Sequence, residues 1–275
     1  TNGCALTFPS NRIVVYANPP VDQPALRHYD DWNALVVSHE LAHVFHLDRS
    51  AGWWGLAQRV FGRSPVLFPN QYLPSWVVEG LAIHYETKLT GSGRIAGSQH
   101  RAIARAAAMD GGLPGLGALS AATPIFPGGE TAYAYGGLFM DHLARTGGDS
   151  AVRRYVESVA RTPLPFLLNR DARRGFGRSF ADAWDAWRDS LRAQVAAWEG
   201  HASVLAPRGG PWWSVQGPRW TSDTSFVVGG TTAREVPGAY AIAGDDVRRV
   251  ARRNDASPNS PLPDGRLVHA QLDYT

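Results

Sequence analysis

The segment VSHELAHVFH, residues 37–46, places three histidines and one glutamate among apolar residues. Apolar side chains recur at helical spacing from about residue 30 to residue 48, which predicts a helix with Asp30 or Asp31 as its N-cap. Burying several ionisable side chains without partners is costly. The chain must therefore either give these groups a binding partner or leave them in water.

His39 and His43 are four residues apart, and residues at this spacing project from the same face of a helix. Their imidazoles can therefore share one metal ion. A zinc ion held in this way needs another protein ligand, an open position for water and a nearby base, and Glu40 is placed to be that base. An accidental HExxH match is the alternative. His46, one turn further on, is expected to be a hydrogen-bonded or solvated residue at the helix end.

The third ligand has to come from elsewhere, because no glycine and histidine follow His46 as the HExxHxxGxxH pattern requires. Glu79 is the best candidate. It lies near the start of a helix predicted from Ser75 to about Leu89, and its apolar neighbours would turn the carboxylate towards the core unless it met a cation. An exposed glutamate favoured by the helix dipole is the alternative.

The segment HELAH followed by WVVEGLAIHYE resembles the gluzincin metallopeptidases. The aminopeptidase branch of that family has a tryptophan three residues before the ligand glutamate, a glycine directly after it and a second glutamate seven residues later. Trp76, Glu79, Gly80 and Glu86 occupy those positions here.

The resemblance implies one zinc ion per chain, bound by His39, His43 and Glu79, with Glu40 as the general base. It also implies that Glu86 could orient a ligand histidine.

A second part of the resemblance is the segment YAYG, residues 133–136. The family carries a tyrosine in a YxxG segment that opens a helix, and its hydroxyl stabilises the oxyanion. Tyr133 is the first candidate for this role and Tyr135 the second. On the residues alone, a tyrosine at a helix start that packs and keeps its hydroxyl in water is the alternative.

Two departures narrow the resemblance. The spacer between His43 and Glu79 is 35 residues, much longer than in the aminopeptidases, and their GxMEN element is absent, so aminopeptidase activity is not implied. The chain is more similar to bacterial peptidase-MA-like domains, in which a helical metallopeptidase domain precedes TolB-like propeller repeats. The segment at 175–191 resembles the closing helix of such domains.

The texture of the sequence changes after Gly200, where residues 201–218 are rich in proline and glycine and short β-branched runs follow. Segments 220–230 and 262–271 superpose with Asp223 over Asp264, a period of 41 residues that suits one propeller blade. We expect a mainly α (α+β) gluzincin-like metallopeptidase domain at 1–200, followed by an all-β partial propeller at 201–275. The missing initiator methionine and the strand-like end are expected of an excerpt from a longer chain.

The remaining pattern predicts further helices and one clear strand before residue 200. The strand is at 12–17, and the helices are at 98–109, 131–145, 150–161 and 179–199. Residues 50–74 read as a long loop with one short helix near 56–61. Its four large aromatic residues are expected to pack the loop onto the domain, although they could also cover a cleft; they are Trp53, Trp54, Phe61 and Phe68.

Composition limits the partners of the chain. Of its 27 basic residues only Lys88 is a lysine, and the arginines are scattered rather than clustered, so no nucleic acid is expected as a partner. No apolar run is long enough to span a membrane. Cys4 is the only cysteine, which excludes an internal disulfide and a CxxC site.

The leading hypothesis is a zinc-dependent peptidase that acts on a peptide or protein, with a propeller that recruits substrate or a protein partner. A catalytically silent scaffold, whose propeller binds partners, is the alternative from another class. A metal-dependent hydrolase of other acyl substrates is the third possibility. An exported, periplasmic or cell-envelope location is implied by the resemblance alone.

Overall fold

A computed structural model describes residues 3–20, 24–121, 127–197, 212–232, 236–253 and 259–269. The chain divides into two compact units, Thr1–Glu199 and Gly200–Thr275. This division falls where the sequence becomes rich in proline and glycine.

The first unit begins with an antiparallel hairpin and continues as helices. Strands β1 (Gly3–Leu6) and β2 (Arg12–Val15) pair so that Gly3 lies opposite Val15. Seven α-helices follow within the described residues: α1 (Trp32–Leu47), α2 (Gly52–Phe61), α3 (Ser75–Thr90), α4 (Gln99–Met109), α5 (Thr131–Arg161), α6 (Leu168–Phe176) and α7 (Phe180–Ala196). None of the helices in the described part of the chain is both long and apolar enough to cross a lipid bilayer.

Local signals set the ends of the helices that matter most for function. The Asp31 side chain caps α1 by accepting a hydrogen bond from the backbone N–H of Ala34 at 3.1 Å. Helix α3 ends at Gly91, whose φ of 72° lies in the left-handed region where glycine is favoured. Helix α5 is interrupted at Gly148, with φ 73° and ψ 170°, which separates the two helices that the sequence predicts there.

Helix α3 packs against both α1 and α5, and an aromatic cluster anchors it. The Trp76 and Phe180 ring centroids are 5.0 Å apart, as are those of Phe139 and Trp184. Large buried aromatic side chains dominate the energetics of a core, and edge-to-face pairs add to that contribution. The cluster therefore fixes α3 relative to α5 and α7.

Helices α3 and α5 meet backbone to backbone. A Cβ atom placed on Gly80 would lie 2.6 Å from the carbonyl oxygen of Gly136, and one on Gly136 would lie 2.5 Å from the carbonyl oxygen of Trp76. A side chain at either glycine would push the helices apart. The close approach brings the residue before Gly80, which is Glu79, towards the first turn of α5.

The second unit contains a four-stranded antiparallel sheet whose strands follow chain order. These strands are β3 (Trp212–Trp220), β4 (Ser225–Thr232), β5 (Gly238–Ala243) and β6 (Asp246–Arg252). A separate short hairpin joins β7 (Ser260–Pro261) to β8 (Leu267–Val268). Within the described residues no sheet closes into a barrel or a propeller.

The two aspartates that align in the sequence occupy equivalent places in this unit. Asp223 lies in the turn between β3 and β4, and Asp264 lies in the turn between β7 and β8. Both turns join antiparallel strands. The 41-residue period therefore relates two hairpins.

Two elements of the first unit differ from the sequence prediction because long-range contacts decide them. Strand β1 was not predicted, and its described pairing partner is β2. Helix α2 begins at Gly52 rather than near residue 56, because Trp54 packs inward and donates an indole hydrogen bond to the Thr162 carbonyl at 2.7 Å. The glycines around these tryptophans are typical of a loop, but burial outweighs that preference.

Helix α6 was also missed, since the segment LNRDARRGF is strongly polar. It packs Ala172 against the core, and Asp171 is held by the hydroxyls of Ser158 and Thr162 at 2.6 and 2.9 Å. Helix α7 ends at Ala196, slightly before the predicted end.

Candidate metal centre

Three potential metal ligands converge between α1 and α3. The Glu79 Oε2 atom is 3.4 Å from Nε2 of His39 and 3.4 Å from Nε2 of His43. The two Nε2 atoms are 3.1 Å apart. One ligand atom from each of the three residues therefore lies within 4.8 Å of the other two. The structure thus places together the three residues that sequence reasoning selected as metal ligands.

The donor set and its hydrogen bonds fit a zinc ion. Two imidazoles and one carboxylate form a common set for catalytic zinc. The Nδ1 atom of His39 is 2.8 Å from Oε2 of Glu86. If Nδ1–H donates to this carboxylate, Nε2 of His39 keeps the lone pair that a metal requires.

The carboxylates and imidazoles of this cluster shift one another's pKa values. Burial would raise the pKa of Glu79, but its hydrogen bonds with His39 and His43 hold that pKa far below the usual carboxyl value. Burial would lower the pKa of His39, but Glu79 and Glu86 outweigh burial and raise this pKa above 6.5. A protonated His39 therefore supplies the positive charge next to Glu79 and Glu86 that a bound metal ion would otherwise supply.

Glu40 lies beside the ligands and faces the same cavity. It is buried, and its Oε2 atom has no hydrogen-bond partner among the described residues. Burial raises the pKa of Glu40, with the imidazoles of His39 and His43 opposing the shift. Because a carboxylate with a raised pKa accepts a proton more readily near neutral pH, this environment suits a general base.

The amino-terminal hairpin reaches Glu40 through Gly3. A Cβ atom on Gly3 would lie 2.7 Å from Oε1 of Glu40. The lack of a side chain at Gly3 therefore lets β1 cover the glutamate closely.

Arg94 is a further member of the site, and the sequence reasoning missed it. Its Nη1 atom donates to Oε2 of Glu86 at 2.5 Å, and its backbone N–H donates to Oε1 at 3.0 Å. Burial would raise the pKa of Glu86, but Arg94 and His39 hold it below the usual value. Arg94 directly follows the GSG segment that ends α3. A charged residue next to glycines was the one sequence feature that could have pointed to it.

The two candidate tyrosines face different surroundings. Tyr133 lies in the first turn of α5 and lines the cavity. Burial and the neighbouring Glu79 raise the pKa of Tyr133 to about 12, so its hydroxyl stays protonated and can donate a hydrogen bond near neutral pH. Tyr135 is buried in the aromatic core and is not among the residues that line the cavity.

The cavity has a volume of about 440 Å³ and two different walls. One wall is apolar and includes Leu26, Leu35 and Val36. The other wall contains Arg94 and Glu130, and the Glu130 carboxylate is 3.5 Å from Nε2 of the buried His100. Glu130 and His100 were not predicted, because neither belongs to a local motif.

The aromatic residues of the 50–74 segment do not line this cavity. Trp54 and Phe68 are buried, in line with a packing role, whereas Trp53 and Phe61 are exposed. His46 is buried outside the group of three ligands. Burial and the neighbouring His43 lower the pKa of His46 to about 3, so it is neutral under ordinary conditions.

Comparison with known proteins gives no match for this chain: no protein-family model, no curated protein and no solved structure is detectably similar to it.

Proposed function

We propose that the chain is a zinc-dependent peptidase that binds one zinc ion and acts on a peptide or protein. The observation that carries this proposal is the convergence of His39, His43 and Glu79 in a cavity that also holds Glu40. The lining of the cavity by Tyr133 gives further support. The resemblance of HELAH and WVVEGLAIHYE to the gluzincin peptidases supports peptide bonds as the target.

His39, His43 and Glu79 would hold the metal, and Glu86 would keep His39 in the correct tautomer and orientation. A bound zinc ion would act as a Lewis acid that makes a water more acidic and polarises the substrate carbonyl.

Glu40 is the proton carrier of the reaction. It accepts the proton of the attacking water and later returns it to the amine of the leaving group. Its buried carboxylate, with a raised pKa, is suited to both steps. Tyr133 donates a hydrogen bond from its hydroxyl to the substrate oxygen on which negative charge develops.

The second unit is proposed to belong to a propeller that recruits substrate or a protein partner. Its four-stranded antiparallel sheet and the matching hairpin turns of Asp223 and Asp264 support this assignment.

The function is tested by measuring metal content and peptide hydrolysis in parallel. Zinc is quantified by mass spectrometry in the wild type and Glu79→Ala, and casein hydrolysis is measured for the wild type and Glu40→Gln. Asp189→Asn, at an exposed residue of α7 that pairs with Arg192, is the matched control.

We expect about one zinc per chain in the wild type and the control, a sharp loss in Glu79→Ala, and no hydrolysis by Glu40→Gln. Zinc without hydrolysis of casein or any other peptide by the wild type would contradict the peptidase assignment. A wild type that binds no zinc would contradict the metal centre itself.

A further inference from the structure

We propose that Arg94 is a positioning residue that holds two parts of the metal centre at once: the Glu86 carboxylate that orients His39, and the ring of Tyr133. The proposal rests on the zinc peptidase function proposed above. It assigns a role to a residue outside the HExxH and EG motifs.

The first contact set joins Arg94 to Glu86. The carboxylate of Glu86 is fully buried, and Arg94 supplies two of its donors, Nη1 at 2.5 Å and the backbone N–H at 3.0 Å. The Nδ1 atom of His39 approaches the same Oε2 atom at 2.8 Å. Nη1 of Arg94 and Nδ1 of His39 are 3.2 Å apart because both donate to the same atom, Oε2 of Glu86.

These contacts determine how firmly His39 is oriented. Without the Arg94 side chain, the backbone N–H of residue 94 would still hold Oε1 of Glu86, but among the described side chains only His39 would remain as a donor to Oε2. The Oε2 atom that orients the imidazole would then be held less firmly. Arg94 therefore acts on the ligand through Glu86 and does not contact the metal position.

The second contact joins Arg94 to Tyr133. The guanidinium carbon lies 5.5 Å from the centroid of the Tyr133 ring, within the range in which a cation is attracted to an aromatic face. The Arg94 side chain is only 11% exposed, so water screens this attraction weakly. Since Glu86 fixes the guanidinium, the guanidinium in turn supports the tyrosine ring and its hydroxyl.

The loop before Arg94 lies close to Glu86 because of Gly93. Gly93 has a φ of 98°, and a Cβ there would lie 2.9 Å from Oε1 of Glu86 and 2.9 Å from Cδ1 of Leu35. Its backbone N–H donates to the carbonyl oxygen of His28 at 2.6 Å. Glycine thus allows the backbone to lie directly against Glu86, with Arg94 as the next residue.

Lysine could not reproduce both contacts. Arginine has a planar fork of donors that can pair with a carboxylate and stack on a ring at the same time. A lysine ammonium is a single compact charge. Arg94→Lys should therefore retain part of the pairing with Glu86 but lose the support of the Tyr133 ring.

The Glu86 half of the proposal is tested by zinc affinity in competition with a chelator. Arg94→Met and Arg94→Lys are compared with the wild type and with Arg192→Met, which removes an arginine paired with Asp189 on the surface of α7. Circular dichroism shows which variants are folded. Removing the hydrogen-bond partner of a metal-binding histidine, here Glu86, typically weakens metal binding about 10- to 100-fold.

Because Arg94 acts through Glu86, we expect a loss at the lower end of that range, about tenfold, for Arg94→Met, a smaller loss for Arg94→Lys and none for Arg192→Met. Folded Arg94 variants that bind zinc as tightly as the wild type would overturn the proposal. If Arg94→Met does not fold, Arg94→Lys alone decides this part.

The Tyr133 half is tested by a double-mutant cycle on kcat. Arg94→Lys should lower kcat less in a Tyr133→Phe background than in the wild type, because the hydroxyl that Arg94 positions is already gone. If Arg94→Lys lowers kcat by the same factor in both backgrounds, the proposed contact between Arg94 and Tyr133 is overturned.

The two proposals can fail separately. If the wild type binds zinc but cleaves no peptide, the function fails while zinc affinity still decides the Glu86 contact. The Tyr133 contact is then read from the ¹³C NMR shift of its ring, assigned with Tyr133→Phe, and an unchanged shift in Arg94→Lys would overturn it. A wild type that binds no zinc overturns both proposals.

Discussion

Gly80 of α3 and Gly136 of α5 lie so close that a Cβ atom on Gly80 would be 2.6 Å from the carbonyl oxygen of Gly136. Each glycine is adjacent to a segment of the candidate site, since Glu79 precedes one and the YAY segment precedes the other. The contact explains physically why small residues stand at these two positions. They set the separation between α3, which carries Glu79, and α5, which carries Tyr133.

We expect Gly136→Ala to destabilise the protein by about 1–3 kcal/mol, because the new methyl group would force the two helices apart. Peptidase activity should fall further than the loss of folded protein accounts for, since Tyr133 would move relative to Glu79. Thermal unfolding and kcat measure the two effects. Gly117→Ala, where a Cβ would meet no atom within 4 Å, is the control. Equal behaviour of the two variants would contradict the close-contact explanation.

The two tyrosines of the YAYG segment should differ sharply in function. Tyr133→Phe is expected to lower kcat on the order of a hundredfold, the typical effect of losing one donor to a developing oxyanion, with little change in zinc content. Tyr135→Phe should retain most of the activity, because Tyr135 is buried in the core away from the cavity. Steady-state kinetics of both variants provide the check, and a larger loss for Tyr135→Phe would reverse the assignment.

Zinc affinity should decrease as the pH is lowered. The pKa of His39 is raised above 6.5 in the metal-free protein, so the proton competes with the metal for this imidazole as the pH falls through that raised value. Above it, the competition disappears. Titrations with zinc from about pH 5 to about pH 8 test the sign. An affinity that is constant or rises towards acid pH would show that His39 is not a ligand.

The neighbouring tryptophans of α2 should contribute unequally to stability. Trp54→Phe removes the indole hydrogen bond to the Thr162 carbonyl and is expected to cost about 1–2 kcal/mol. Trp53 is 61% exposed, so Trp53→Phe should change the free energy of unfolding by less than about 0.5 kcal/mol. Urea denaturation measures both. Neither variant should alter zinc content, and a loss of zinc would place α2 in the metal centre.

The sequence contained most of the information about the centre because its signals are local. The spacing of His39 and His43 determines their common face once the segment is helical, and Glu40 follows from its place between them. Glu79 required a further argument, the cost of burying a carboxylate among apolar neighbours. Its distance from the histidines became visible only with the packing of α1 against α3.

Arg94 and Glu130 could not be predicted in the same way. Arg94 reaches Glu86 because Gly93 adopts a positive φ, and no periodic pattern reports such a loop. The position of Glu130, directly before α5, depends on its approach to His100 of α4. Strand β1 and helix α6 were not predicted for the same reason, since pairing and packing with distant segments determine them.

The long spacer between His43 and Glu79 matters for the entropy of the chain, because the candidate ligands lie on two different helices. A metal bound by both helices would be a cross-link that closes a chain loop containing α2. For a flexible loop, each doubling of its length adds only about 0.6 kcal/mol to the entropic cost of closure. A longer connection between the two ligand positions therefore adds little to the free energy of closing the loop. Helix α2 can be accommodated inside this loop at little thermodynamic cost.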